Sequence, residues 1–249
     1  MTAAARALSG AERVLAITGA GISADSGLPT YRGVSGLYES ADTEDGVPIE
    51  AALSGAMMRA RPALCWKYIA QIERGCRGAR PNAGHAVLAR WQSRFALTVL
   101  TQNVDGLHRA AGQQDLIEIH SNVHDLYCVD CASERHVNDY SELTLPPVCE
   151  RCGGPVRPRV VLFGEALPED AIGRIEQVLA EGVDAVLSIG TTSVFPYIAA
   201  PVLQAARRGI LTIEINPGDT EVSSAVRYRL RQRAAIALPD LEREMHPPA

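Results

Sequence analysis

The chain has 249 residues, 47% of them hydrophobic, which suits one large core carrying an appendage and excludes a disordered polypeptide. Its 24 basic and 29 acidic side chains give a formal charge of -5 with no long run of one sign, so nucleic acid is not the expected partner. No window approaches the roughly 20 apolar residues that span a bilayer, and the opening MTAAARALSGAERVLAITGAG lacks a basic segment followed by an apolar core and cleavage site, so the expectation is a cytoplasmic protein without a membrane partner.

In chain order, short runs rich in Val, Ile and Leu at Val14–Thr18, Ala96–Thr101, Leu116–Ile119, Val160–Phe163, Ala185–Ile189 and Leu211–Ile215 are predicted to be buried parallel strands. Helical patterns at Glu169–Ala180 and Ala199–Arg208 lie between the later runs, and this alternation predicts an α/β fold with a doubly wound parallel sheet. From about Tyr31 to Trp91 the chain reads as loop and helices, with Pro62 in the first turn of a helix over ALCWKYIAQIE. From about Asn122 to Arg157 it is polar and turn-rich, which marks an insertion. The expected organisation is a large dinucleotide-binding unit from residues 1–34, 94–121 and 158–249, a helical and loop insertion over 35–93, and a module over 122–157.

The segment VLAITGAGISADSG carries an apolar strand into Gly19-Ala20-Gly21-Ile22-Ser23-Ala24, a G-x-G-x-x-A turn whose glycines would let the backbone approach a pyrophosphate at a helix start. An ordinary glycine-rich strand-to-helix turn has the same spacing. The acidic residue expected about 20 positions further on is replaced by Glu39 and Asp42 in a loop-like stretch, which argues against a hydride-transfer enzyme. Two later strand ends, Ser188–Ser193 and Glu214–Gly218, also place small or polar groups where open sheets bind ligands.

Cys128-x-x-Cys131 and Cys149-x-x-Cys152 have the spacing of a zinc ribbon, and four thiolates complete a tetrahedral structural site with no position open to water. Cys65 and Cys76 fall in the helical stretch and read as core residues. Thr101-Gln102-Asn103-Val104-Asp105-Gly106-Leu107-His108 follows a strand; it is either a polar site or a loop in which Asp105 caps the next helix. His120 ends another strand and suits a proton acceptor near neutral pH, but His85, His108, His124 and His136 compete on the same chemistry.

Taken together, GAGISADSGLPTYRG, TQNVDGLH, the two CxxC pairs, RPRVVLFGE, IGTTS and EIN resemble, in order, the motif set of the sirtuin family in its bacterial, zinc-ribbon form. The resemblance implies a Rossmann-like large domain and a small domain of zinc ribbon plus helices, with NAD as co-substrate and an acyl-lysine peptide meeting in the cleft between them. It implies that Gly19, Ala20, Gly21, Ser23, Asp25, Tyr31, Arg32, Gln102, Asn103, Asp105, Gly190, Thr191, Ser193 and Asn216 contact NAD. Val161, Phe163, Gly164 and Glu165 would receive the peptide as an added strand. His120 would act as general base with Asn103 beside it, and the products would be free lysine, nicotinamide and an O-acyl-ADP-ribose. The structural ion would be Zn2+ on the four cysteines.

Ser121 stands where the family has glycine, which is expected to restrict the backbone at His120 and lower activity. Tyr31 replaces a phenylalanine, and the proline of GTTSVFPY is displaced. Ile69 and Ile72 occupy the positions at which succinyl- and malonyl-preferring relatives carry tyrosine and arginine, so uncharged acyl groups are expected to be preferred. Alternative readings are ADP-ribosyl transfer to a protein, and a non-catalytic NAD-binding or scaffold protein.

Overall fold

The computed structural model describes residues 1–29 and 43–245. Helix α1 (Thr2–Ser9) leads into β1 (Arg13–Thr18), the short α2 (Ala20–Ser23) and a 3-10 turn over Ala24–Ser26. Helices α3 (Ile49–Ala52), α4 (Gly55–Ala60), α5 (Pro62–Cys76) and α6 (Ala83–Trp91) precede β2 (Ala96–Thr101), α7 (Leu107–Ala110) and β3 (Leu116–Glu118). Strands β4 (Asp125–Cys128), β5 (Glu134–His136) and β6 (Val156–Pro158) follow. The chain continues through α8 (Glu169–Glu181), β7 (Ala185–Ile189), α9 (Pro196–Arg207), β8 (Leu211–Ile215), β9 (Tyr228–Leu230) and α10 (Ala234–Met245).

Six strands form one parallel sheet in the order β3-β2-β1-β7-β8-β9. The chain winds outward from β1 to β3 and resumes at β7 on the other side of β1, so the order reverses between β1 and β7. The crevice at such a reversal is where open α/β sheets bind ligands. Alternate strand residues feed two cores. Val14, Ala16, Val99 and Leu187 pack with Leu8, Leu88 and Leu238 from α1, α6 and α10, whereas Leu15, Ile17, Leu100 and Val186 pack with Ile175 and Val202 from α8 and α9. Helices on both faces explain why these strands read as continuous apolar runs.

A second sheet, β5-β4-β6, is antiparallel. Its Leu126 and Val156 share a third core with Trp66 and Ile69 of α5, and Tyr140 meets Trp66 edge-on at 5.4 Å. Pro62 opens α5 at its first turn, the position where proline's missing N–H costs nothing.

One expectation is corrected. Val160–Phe163 is not a strand of the parallel sheet: Phe163 forms a lone parallel bridge to Ser54, and the Val161 and Phe163 amides donate to the His120 and Leu53 carbonyls. Only Leu162 of the run is buried, whereas an interior strand needs both faces covered. Helix α6 contributes Val87, Leu88 and Trp91 to the core beneath the parallel sheet.

The segment before α6 is held by Asn82, whose side chain accepts from the Gly84 amide and donates to the Ile22 carbonyl and the Ser26 hydroxyl. His85 accepts from the Asn82 amide and meets His108 edge-on at 4.8 Å, while His108 Nε2 bonds Thr18 Oγ1 at 2.9 Å. Both imidazoles are neutral, because burial pushes His85 down from 6.5 to about 4 and His108 to about 3. The unfolded chain takes up these protons near pH 6.5 and the folded chain does not. Stability is therefore expected to fall as pH drops from 6.5 toward 4, by up to about 1.4 kcal/mol per pH unit for each histidine. Thermal melts from pH 7 to 5 check this, and a flat Tm across that window would refute it.

Candidate active site and metal centre

The glycine turn sits at the reversal point, but its glycines answer first to the protein itself. A Cβ on Gly19 would lie 2.8 Å from Thr191 Cβ, and one on Gly21 would lie 2.7 Å from Gly190 Cα. The Gly19 and Gly21 amides donate to the Ile189 and Gly190 carbonyls, stitching the ends of β1 and β7 together. Gly190 itself adopts φ +58, and a side chain there would meet the Ile22 amide at 2.5 Å. Half-buried Ala20 lies between the two stitched glycines at the mouth of the crevice.

The loop after β2 supplies the next layer. Asn103 is 4% exposed and donates from Nδ2 to the Gly19 carbonyl and to Ser23 Oγ, both at 3.1 Å. Ser23 Oγ in turn donates to Asp105 Oδ2 at 2.7 Å, while Asp105 Oδ1 accepts from the Leu107 amide at the start of α7. The N-cap of α7 is Gly106, so Asp105 stands one residue before the position at which the sequence placed a cap. Burial raises the Asp105 carboxyl above its ordinary range, opposed by the Leu107 amide and the Ser23 hydroxyl.

Gln102 Nε2 donates to Thr191 Oγ1 at 2.8 Å, and Thr191 Oγ1 also accepts from the Ser193 amide. Asn216, after β8, donates from Nδ2 to the Thr191 carbonyl at 3.1 Å. Thr191 thus ties together the carboxyl ends of β2, β7 and β8. Ser193 is buried with φ 56, so its left-handed backbone is held by these contacts.

Asp25 pairs with Arg233 through Oδ1 at 2.9 Å. Among the described residues, Asp25 Oδ2 and Asn103 Oδ1 are buried acceptors without a hydrogen-bond partner. An unmet buried acceptor costs about 1–3 kcal/mol, and ribose hydroxyls or a carboxamide are donors of the kind that would satisfy it. The residues present therefore fit NAD. Tyr31, Arg32, Glu39 and Asp42 lie outside the described residues.

His120, just beyond β3, is half-buried. Its Nδ1 lies 2.9 Å from the Gln102 carbonyl, which can only accept, so Nδ1 carries the proton and Nε2 the lone pair. Burial lowers its pKa, and the Gln102 carbonyl opposes that by favouring the protonated ring. The imidazole is therefore neutral at pH 7, the state a general base requires. Ser121 adopts φ 59, a left-handed conformation that costs a non-glycine residue about 1–2 kcal/mol. Its amide donates to the Glu118 carbonyl at 2.8 Å, so the fold carries this strain with the imidazole bonds intact. The competing histidines separate by environment: His85 and His108 form the buried pair, His136 pairs with Asp125 near the surface, and His124 lies edge-on to His136.

The extended segment beyond β6 joins this site directly, because the Val161 amide donates to the His120 carbonyl at 3.1 Å. At the start of α4 the Gly55 amide donates to the Phe163 carbonyl while the Phe163 amide donates to the Leu53 carbonyl, and Gly164 turns the chain with φ +79. The Glu165 carboxylate is committed elsewhere. It forms a bidentate pair with Arg157 at 2.6 and 2.9 Å and accepts from the Leu162 amide, so its side chain clamps the loop, and the Arg157 guanidinium holds its pKa below the usual range against the opposing effect of burial.

Two aromatic residues at the site escaped the sequence reading. Phe195 and Tyr197 stack at 5.4 Å and both meet His120 edge-on. Aromatics flanking Pro196 just after a strand end were the available signal, but nothing in the spacing says that they face His120.

The four cysteines converge. Cys128 and Cys152 Sγ atoms are 3.5 Å apart, those of Cys131 and Cys149 are 3.7 Å apart, and all four lie within 4.8 Å of one another. Tetrahedral zinc with bonds of about 2.3 Å needs sulfurs about 3.8 Å apart, so the set fits the ion. The knuckles are shaped by backbone bonds from Cys128 to the Ser133 carbonyl and from Cys149 to the Gly154 carbonyl. The site is remote in role from the crevice: with four thiolates, zinc has no position left for a substrate.

Known proteins agree with this architecture. The sequence profile of the Sir2 family matches residues 19–196. An "NAD-dependent protein deacylase 2" of Pseudomonas aeruginosa is 52% identical over 241 residues, spanning 95% of this chain and 94% of its own length. Among solved structures, a Sir2 homologue in complex with NAD superposes with a TM-score of 0.86 at 31% identity, covering 97% of this chain and 92% of that one. A Sir2 variant with a deacetylated p53 peptide and 3'-O-acetyl ADP ribose gives a TM-score of 0.86 at 26% identity over 96% of both chains. With the profile running from the glycine turn through both CxxC pairs, and a relative this alike over nearly the full length, the chain belongs to the Sir2 family.

Proposed function

We propose that this chain is an NAD-dependent protein-lysine deacylase in which His120 is the general base. The supporting observation is a single junction: a neutral, oriented imidazole at the carboxyl edge of the sheet on a residue whose own carbonyl is bonded to the Val161 amide, which sets the base directly beside the proposed peptide-receiving segment. NAD, when bound, supplies the electrophilic ribose carbon and the hydroxyl that collects the acyl group. On this reading Asn103, Asp105, Gln102, Ser23 and Asp25 orient the nicotinamide ribose side, with Gly19, Ala20 and Gly21 at the pyrophosphate. Gly190, Thr191, Ser193 and Asn216 take the adenosine half. His120 accepts the hydroxyl proton at Nε2, and Val161, Phe163 and Gly164 offer main-chain bonds to an acyl-lysine peptide, a mode tolerant of peptide sequence. Glu165 supports that segment through Arg157.

The reading includes two units, the parallel-sheet domain and the zinc-ribbon plus helical domain, with the reaction in the crevice between them. No helix among the described residues is long and apolar enough to cross a membrane.

The acyl pocket follows from α5. Ile69 is 2% exposed, and Ile72 packs against the same apolar core as Leu162 and Val104. A carboxylate delivered there would lose its hydration without gaining a cation. We expect kcat/KM for an acetyl-lysine peptide to exceed that for the succinyl peptide at least about tenfold, an energy difference of about 1.4 kcal/mol. Mass spectrometry of matched peptides with and without NAD tests both parts. A succinyl preference of that size overturns the pocket assignment, and labelled ADP-ribose on protein in place of a small O-acyl product overturns the deacylase reading.

A further inference from the structure

The nitrogen through which His120 would act already has a partner. With the proton on Nδ1 held by Gln102, the Nε2 lone pair accepts from the Tyr197 hydroxyl at 2.8 Å. Tyr197 is the second residue of α9. Pro196 starts that helix, where its fixed φ is at home, and helical side chains lean toward the N-terminus, which carries the phenol back over the carboxyl edge of the sheet. Phe195 stacks on the Tyr197 ring with planes 14° apart and, like Tyr197, meets His120 edge-on, so the stacked pair presents both rings to one side of the imidazole.

Resting on the deacylase reading of His120, we infer that Tyr197 is a positioning residue for that base: its hydroxyl holds Nε2, favours the tautomer protonated at Nδ1, and yields the nitrogen to the substrate hydroxyl that the base deprotonates. A neutral imidazole has one lone pair for one donor, and a ribose hydroxyl must approach within hydrogen-bond reach of the same nitrogen. The two hydroxyls therefore compete for one site. Burial pushes the Tyr197 phenol up to about 12, so it donates to His120 without ionising near neutral pH.

A bond donated to the lone pair stabilises the neutral ring and lowers its basicity. Among the described residues the ionisable group touching the imidazole is Tyr197. The Gln102 carbonyl and the Phe195 ring that also face the imidazole, and the Val161 amide on the His120 carbonyl, carry no charge. Removing the Tyr197 hydroxyl should thus raise the pKa of His120.

The test uses the full chain with zinc bound. Nitrogen-15 NMR follows the His120 imidazole in the absence of NAD, and the pH profile of kcat/KM is recorded with an acetyl-lysine peptide, for the wild type, Y197F and Y197A. In Y197F the imidazole pKa is expected to rise by about half to one pH unit, the worth of one modest hydrogen bond. The Nε2 resonance should move to that of an unbonded lone pair, and the acid limb of kcat/KM should shift equally. Y197A, which also frees the ring, is expected to lose about tenfold in kcat, and Y197F to retain kcat within about threefold, since orientation errors at a base are costly. A tyrosine that merely packs would move neither the imidazole pKa nor its Nε2 signal. If His120 titrates identically in wild type and Y197F, the inference is overturned even in an active enzyme. Because the NMR arm needs no turnover, absence of deacylation with a Tyr197-dependent imidazole would count against the deacylase reading instead.

Discussion

His120→Ala is expected to lower kcat for NAD-dependent deacylation by about 10²- to 10⁴-fold, the range that a positioned base usually contributes, while NAD affinity changes no more than a few fold. The separation follows from the geometry. His120 touches the Gln102 carbonyl and Tyr197, whereas the glycine turn, Thr191 and Asn216 hold one another without it. Single-turnover mass spectrometry paired with calorimetric NAD binding resolves the two effects. Equal losses in both would mean that His120 supports the NAD site rather than the proton transfer. In the active enzyme, kcat/KM should fall as pH drops below 6.5, because burial places the His120 pKa below that ordinary value and protonation there removes the lone pair.

Removing the metal should have the largest structural effect. Strands β4, β5 and β6 span four, three and three residues, too little ladder to hold a module of their own. Structural zinc in small modules supplies an apparent stabilisation of about 10 kcal/mol or more at neutral pH. Chelation, or Cys149→Ser, is expected to unfold the β4-β5-β6 module and to loosen its edge-on Trp66–Tyr140 contact, while most far-UV signal from the parallel sheet survives. Near-UV circular dichroism with metal analysis provides the check, expecting one zinc per chain. A chelated protein with unchanged near-UV signal and Tm would show that the cysteines fold the module without an ion. Deacylation should also disappear on chelation, since α5 and the module share one core and that core carries Ile69 of the proposed acyl pocket.

Much of this molecule was legible in the amino-acid order because its physics is local. Continuous apolar runs at Ala185–Ile189 and Leu211–Ile215 announce strands covered on both faces, and a pair of CxxC motifs needs only two tight turns to become a four-thiolate centre. The sequence by itself determined the doubly wound sheet, the zinc module and, by resemblance, the family. What the tertiary structure decided depended on distant partners. Val160–Phe163 has a strand's composition, but it runs outside the parallel sheet and bonds to His120 and Leu53 instead. Short β9 has one buried side chain, Leu230, and thus too little pattern to be recognised. Gly19 and Gly21 suit a nucleotide turn, yet the contact that excludes a side chain is with Gly190 and Thr191, far along the chain. The five histidines among the described residues, equal in intrinsic chemistry, were sorted by burial and partners alone: two meet edge-on in the core, His136 pairs with Asp125 and faces His124, and one meets Gln102 and Tyr197 at the crevice. Intrinsic residue chemistry and short-range pattern are properties of the chain, whereas which lone pair faces which hydroxyl is set only when strand ends from remote segments are packed side by side.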